Sequence, residues 1–140
     1  MSKVDIRQSF RAAPERIFDA FFDPAVAKHW LFATTDKGLK EVHIDPRVGG
    51  QYILIDERNG RDVVTSGALY KLDRPARLEF SVFSPAHSQF AVRVAVDITP
   101  NGSGSEVHLV SEIGQDQLHL ADALSEGWGE MLVLFEKKLG

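Results

Sequence analysis

A chain of 140 residues with 44% hydrophobic content can bury roughly two-thirds of its unfolded surface as one domain, so its core needs no covalent staples. The absence of cysteine excludes disulfides, thiolate metal sites and thiol nucleophiles. Sixteen basic residues against 20 acidic ones give a net charge of −4, with Lys and Arg scattered, so nucleic acid finds no basic stripe on which to release counterions.

The first fifteen residues carry three basic side chains and no apolar run of signal-peptide length, and nothing later approaches the roughly 20 apolar residues of a membrane span. The expectation is a cytoplasmic protein that binds neither membrane nor nucleic acid. Val4, Ile6 and Phe10 share one parity against Asp5, Arg7, Ser9 and Arg11, which is the alternation of a half-buried strand. Pro14 ends it and opens a short helix to about Phe22, with Ile17, Phe18 and Phe21 at helical spacing. Asp23-Pro24 repeats the signal, Asp23 as cap and Pro24 in the first turn, with Val26 and Trp30 on the inner face of a second helix.

From Leu39 to Glu112 no helical period persists, and six strand-like runs follow at about 39–45, 50–57, 62–72, 76–84, 89–99 and 105–113. Asn59-Gly60 predicts a tight type I′ hairpin, and the turn at 101–104 does the same between the last two strands. Phe90, Val92, Val94, Val96 and Ile98 make one apolar face, joined by Leu78, Phe80, Val82, Val107 and Leu109. A cover for that face comes from a helix over about 117–138, where Leu118, Ala121, Leu124, Trp128, Met131, Leu132, Phe135 and Leu139 recur at steps of three or four. The order β-α-α-β6-α describes a single α+β domain over residues 1–140.

Metal and nucleophile chemistry find little support in the spacing. His29, His43, His87, His108 and His119 stand in no zinc-binding arrangement, and no metal or cofactor is expected. His87, in the loop Ser84-Pro85-Ala86-His87-Ser88, could reach a cavity mouth, although a plain surface loop is the simpler reading. No G-x-S-x-G elbow occurs. Of Asp56 and Glu57, Asp56 shares parity with Tyr52 and Leu54 and is the candidate to face inward, where burial would suit it to general-acid work, although strand ends are commonly solvated and that is the simpler reading. Gly67 inside a strand signals a bend, and Gly127 inside a helix signals either close packing or room kept free beside Trp128.

Four motifs in order resemble the START-like, birch-pollen-allergen-like superfamily, and within it the bacterial homologues of the activator of heat-shock-protein ATPase. They are Ile17-Phe18-Asp19-Ala20-Phe21-Phe22-Asp23-Pro24 leading to Trp30; Asp45-Pro46-Arg47-Val48-Gly49-Gly50; Gly67-Ala68-Leu69-Tyr70-Lys71-Leu72 running into Arg77-Leu78-Glu79-Phe80; and Gly127-Trp128 with Met131-Leu132. Arg74-Pro75 departs from the double proline common there and affects a turn. The resemblance implies a helix-grip fold, a curved antiparallel sheet of about seven strands around the C-terminal helix, with an apolar cavity between them.

Candidates to line that cavity are Trp30, Phe32, Tyr52, Leu54, Tyr70, Phe80, Phe90, Val92, Trp128 and Met131, with the tyrosine hydroxyls as polar anchors, although for each residue taken singly a packed core is the simpler reading. The implied function is non-enzymatic binding of a small hydrophobic or amphipathic ligand. A chaperone-associated interaction module, partnered by a heat-shock chaperone, is a second implied class. A cyclase or dehydratase acting on polyketide-like substrates is a third.

Overall fold

The computed structural model describes residues 3–33 and 37–139. β1 (Lys3–Phe10) leads through α1 (Pro14–Phe21) and α2 (Pro24–Ala27) to β2 (Glu41–Ile44), β3 (Gln51–Arg58), β4 (Arg61–Asp73), β5 (Arg77–Val82), β6 (Val92–Asn101) and β7 (Gly104–Glu112). A 3₁₀ turn (Gln115–Leu120) then enters the long α3 (Ala121–Leu139). The seven strands form one antiparallel sheet in the order β1-β7-β6-β5-β4-β3-β2, so the first strand returns to pair with the last. This is the expected helix-grip arrangement, with α3 alongside the concave face.

Local chemistry explains the joints. Pro14 and Pro24 occupy first helical turns, where a missing N–H costs nothing, and the Asp23 carboxylate accepts from the Ala25 N–H at 3.0 Å. Asn59 and Gly60 both take positive φ, 53° and 76°, which places Arg58 opposite Arg61 across the hairpin. At Gly67 a Cβ would run into the Ser81 carbonyl oxygen and sit 2.7 Å from the Tyr52 ring, so glycine is required there for β4 to pass so close to its neighbours. A register shift at Leu69/Lys71 adds a bulge to the same strand.

Most of the predicted inner face is buried, namely Leu78, Phe80, Val82, Val94, Val96, Ile98, Val107 and Leu109, whereas Val92 is half-buried and Phe90, which precedes the strand, is exposed. Val96 lies between Leu78 and Leu109 on the neighbouring strands, and Ile98 pairs with Val107. Trp30 and Phe135 stack face to face, centroids 4.0 Å apart and planes within 2°. Phe21 closes edge-on against both and Phe10 edge-on against Phe135, an aromatic cluster that fastens α1, the segment after α2 and β1 to α3.

Three expected boundaries move by three residues or more. The second helix ends at Ala27, so Trp30 lies beyond it instead of on its inner face. The final helix begins at Ala121 instead of about 117, because Gln115–Leu120 winds as a 3₁₀ turn. Three residues per turn rotate Leu118 off the face it would have shared with Trp128, and it is 49% exposed. The sixth strand begins at Val92 instead of 89. The Gln89 N–H is taken by the Asp116 carboxylate at 3.1 Å and the Phe90 N–H by Ser88 Oγ at 3.1 Å, so those amides are diverted from the ladder.

Candidate functional site

Between α3 and the concave face, toward the N-terminal half of the helix, the layers separate around a cavity of about 350 Å³. This lies within the roughly 300–1,000 Å³ of small-molecule sites. Its apolar wall includes Phe32, Val82, Phe90, Leu124, Trp128 and Met131. Its polar end is formed by Arg58, Thr65, Ser84, His87, Ser88 and Gln117.

Backbone constraints position the wall. Phe32 adopts φ 54°, a conformation that costs a non-glycine residue about 1–2 kcal/mol. Its N–H donates to Met131 Sδ at 3.3 Å, and its ring stands edge-on to Trp128 at 5.2 Å. Gly127 lines the same space, and a Cβ built there meets nothing within 4 Å, so this helical glycine keeps room free and is not a close-packing device.

The polar end is a connected network. Arg58 Nε donates to Asp56 Oδ2 at 2.8 Å, and Arg58 Nη1 contacts His87 Nε2 at 3.1 Å. Ser84 Oγ is 2.9 Å from His87 Nδ1. A guanidinium has no acceptor, so Nε2 must be the lone-pair nitrogen and Nδ1 must carry the hydrogen, which it donates to Ser84 Oγ. This tautomer is the wrong one for taking a proton from Ser84, so the pair is not an activated nucleophile. Asp56 faces inward as its parity predicts and is 3% exposed. The Arg58 ion pair offsets the cost of burying that carboxylate, which makes Asp56 the partner of a cation instead of an isolated acid.

The residues expected to line one chamber are divided among several places. Phe32, Phe90, Trp128 and Met131 share the cavity. Tyr52 and Phe80 border a separate apolar gap of about 30 Å³, room for one water at most. Tyr52 donates its hydroxyl to the Ser81 carbonyl oxygen at 2.6 Å, and burial pushes the phenol up, away from neutral-range proton transfer. Trp30 and Leu54 are in the packed core, Trp30 with no exposed surface. Val92 borders an outer groove beside Glu112 and Ile113, with Phe90 standing between that groove and the cavity.

Tyr70 requires a correction. It lies on the convex side, 45% exposed, with the Arg93 guanidinium 3.7 Å over its ring. Tyr52 pairs with Gly67, so inward positions on β4 are Thr65, Gly67 and Leu69, and Tyr70 has the other parity. The bulge then leaves Tyr70 and Lys71 both outside. Arg58, conversely, did not come forward from residue type. Its signal was present in parity with Tyr52, Leu54 and Asp56, two residues from an inward carboxylate.

Elsewhere, a shallow depression of about 490 Å³ between β1 and α3 has an apolar floor of Ile6, Val133 and Leu134 bordered by Arg7, Gln8, Glu126, Glu130 and Lys137. Among the described residues, no group of three or more His, Cys, Asp or Glu is placed to hold a metal ion. No described helix is long and apolar enough to cross a membrane.

Solved structures share this architecture throughout. A Staphylococcus aureus protein of unknown function superposes with a TM-score of 0.84 at 19% identity, covering 99% of this chain and 93% of that one. A Chromobacterium violaceum protein gives 0.81 at 21% identity over 98% and 96% of the two chains. An AHSA1-like protein from Aeromonas hydrophila gives 0.81 at 19% identity over 99% and 92%. These likenesses are of fold, and no curated protein matches the sequence. Residues 11–140 match the family model described as Activator of Hsp90 ATPase homolog 1-like protein, and with the motifs and topology above this chain belongs to that START-like family.

Proposed function

We propose that this domain binds a small apolar or amphipathic molecule between α3 and the sheet. The observation that carries the reading is the cavity of about 350 Å³ whose walls are mainly aromatic and aliphatic and whose polar groups gather at one end. Gly127 supports it, since a helix interior without a ligand to accommodate gains about 1 kcal/mol from alanine. The chemistry at the polar end favours holding over transformation, because His87 presents an N–H to Ser84 and Asp56 is engaged with Arg58.

Calorimetric titration with fatty acids, flavonoids and polyketide-like aromatics at two temperatures tests this. Binding is expected with a negative heat-capacity change and a change in Trp128 fluorescence. Gly127→Phe, whose side chain would grow into the chamber, abolishes binding while leaving the circular dichroism spectrum unchanged. If no compound from these classes binds, the carrier reading falls. Co-purification with a heat-shock chaperone then becomes the experiment to perform, following the family's description.

A further inference from the structure

Resting on that reading, we propose that the ligand carries an anionic head group, a carboxylate or its equivalent, seated on Arg58, with its apolar body along Phe32, Trp128 and Met131.

Among the described residues Arg58 is the cation bordering the cavity, and its side chain is 27% exposed, shielded from bulk water yet reachable. A guanidinium presents five N–H donors. One is held by Asp56 and one by His87, and the rest have no partner among the described residues. Asp56 fixes the Nε side at 2.8 Å and so orients the plane of the fork, leaving Nη2 and part of Nη1 to recognise a second acceptor. A planar, bidentate anion matches that edge better than a single hydroxyl does.

The neighbouring charges set the size of the preference. Asp56 offsets much of the Arg58 charge, and His87, in its neutral tautomer, adds none. Asp116 is bonded to Ser88, its carboxylate accepting from Ser88 Oγ at 2.7 Å and from the Gln89 N–H. Selectivity for an anion therefore comes from directed N–H donors more than from net positive field, and moderate discrimination follows. Thr65, Ser84 and Gln117 supply neutral polar surface beside it.

Three matched probes decide the matter: phenylbutyrate, phenylbutanol and phenylbutylamine, which share a body and differ in head group. Calorimetry on the intact domain should give the carboxylate at least about tenfold tighter binding than the alcohol, and the ammonium the weakest. The double variant Asp56→Asn/Arg58→Gln removes the guanidinium without leaving its buried partner unpaired. There the carboxylate's advantage should fall to within about twofold while the alcohol binds as before. Arg58→Lys, which retains charge but loses the fork, should keep part of the advantage. Equal binding of carboxylate and alcohol by the wild-type protein overturns the anionic head group and leaves the cavity reading standing. Failure of all three to bind overturns both. Persistence of the preference in the double variant removes it from Arg58. Should that variant not fold, the guanidinium NMR resonances of Arg58 in the wild-type protein replace it: saturable shifts with phenylbutyrate but not phenylbutanol are expected, and identical shifts with both overturn the assignment.

Discussion

Phe135 and Trp128 stand about two turns apart on one face of α3, and the space beneath them is treated in opposite ways. Under Phe135, three aromatic rings from β1, α1 and the segment after α2 close the gap between helix and sheet. Under Trp128, one ring, Phe32, approaches edge-on, and Gly127 beside it contributes no side chain. The same helix thus anchors the fold with its C-terminal half and leaves a chamber beneath its N-terminal half. Close packing and open space are separated along a single element, so the chamber can be altered without dissolving the core.

The largest consequence falls at the closed end. Phe135→Ala should cost about 3–5 kcal/mol in urea denaturation, because the rings that remain cannot collapse around the hole. Met131→Ala, at a half-buried site that already borders empty space, should cost less than half as much. Equal losses at the two positions would mean that the chamber wall is packed as the core is.

Gly127→Ala comes next and has the opposite sign. With no atom within 4 Å of the added Cβ, the substitution should stabilise the helix by up to about 1 kcal/mol. A destabilised variant would show that another group occupies the space.

Acid sharpens the contrast further, through the loop at the mouth. Hydrogen bonds from Ser88 Oγ and the Gln89 N–H hold the Asp116 carboxyl below its usual range. A depressed folded-state value contributes stability above the unfolded value of about 3.9, lost as pH falls through the folded one. Asp19 beside Arg74 and Glu136 beside Arg11 are lowered likewise, so global melting mixes all three in this acid window. Amide exchange at Gln89 isolates the loop. Its protection should fall below about pH 4 in the wild-type protein, and Asp116→Asn should lower it already at neutral pH and flatten the acid response. Unchanged protection in that variant would count against the role given to Asp116.

The smallest expected effect is none. Stoichiometric zinc, or a chelator, should leave the melting temperature where it is, since no described cluster of ligands provides linkage. A saturable rise with zinc would reverse that expectation.

Periodicity and turn chemistry carried the fold because both are written locally. The alternation of Val92 through Ile98, the Asn59-Gly60 hairpin, the proline-led helices and the three-to-four spacing of Trp128, Leu132 and Phe135 each describe neighbours along the chain. Parity also pointed Asp56 inward and, applied consistently, would have turned Tyr70 outward and drawn attention to Arg58. What local pattern does not contain is the distance between layers. Whether an inward aromatic meets another ring, as Trp30 meets Phe135, or borders a void, as Trp128 does, depends on how α3 lies over a sheet bent at Gly67 and bulged at Tyr70. The meeting of Arg58 with His87, from segments remote in sequence, likewise follows from the approach of the 83–91 loop to the β3–β4 hairpin. Residue type and spacing determined which side chains point inward; tertiary packing alone decided which of them close the core and which leave a chamber, because a cavity is a property of the gap between surfaces and not of either surface by itself.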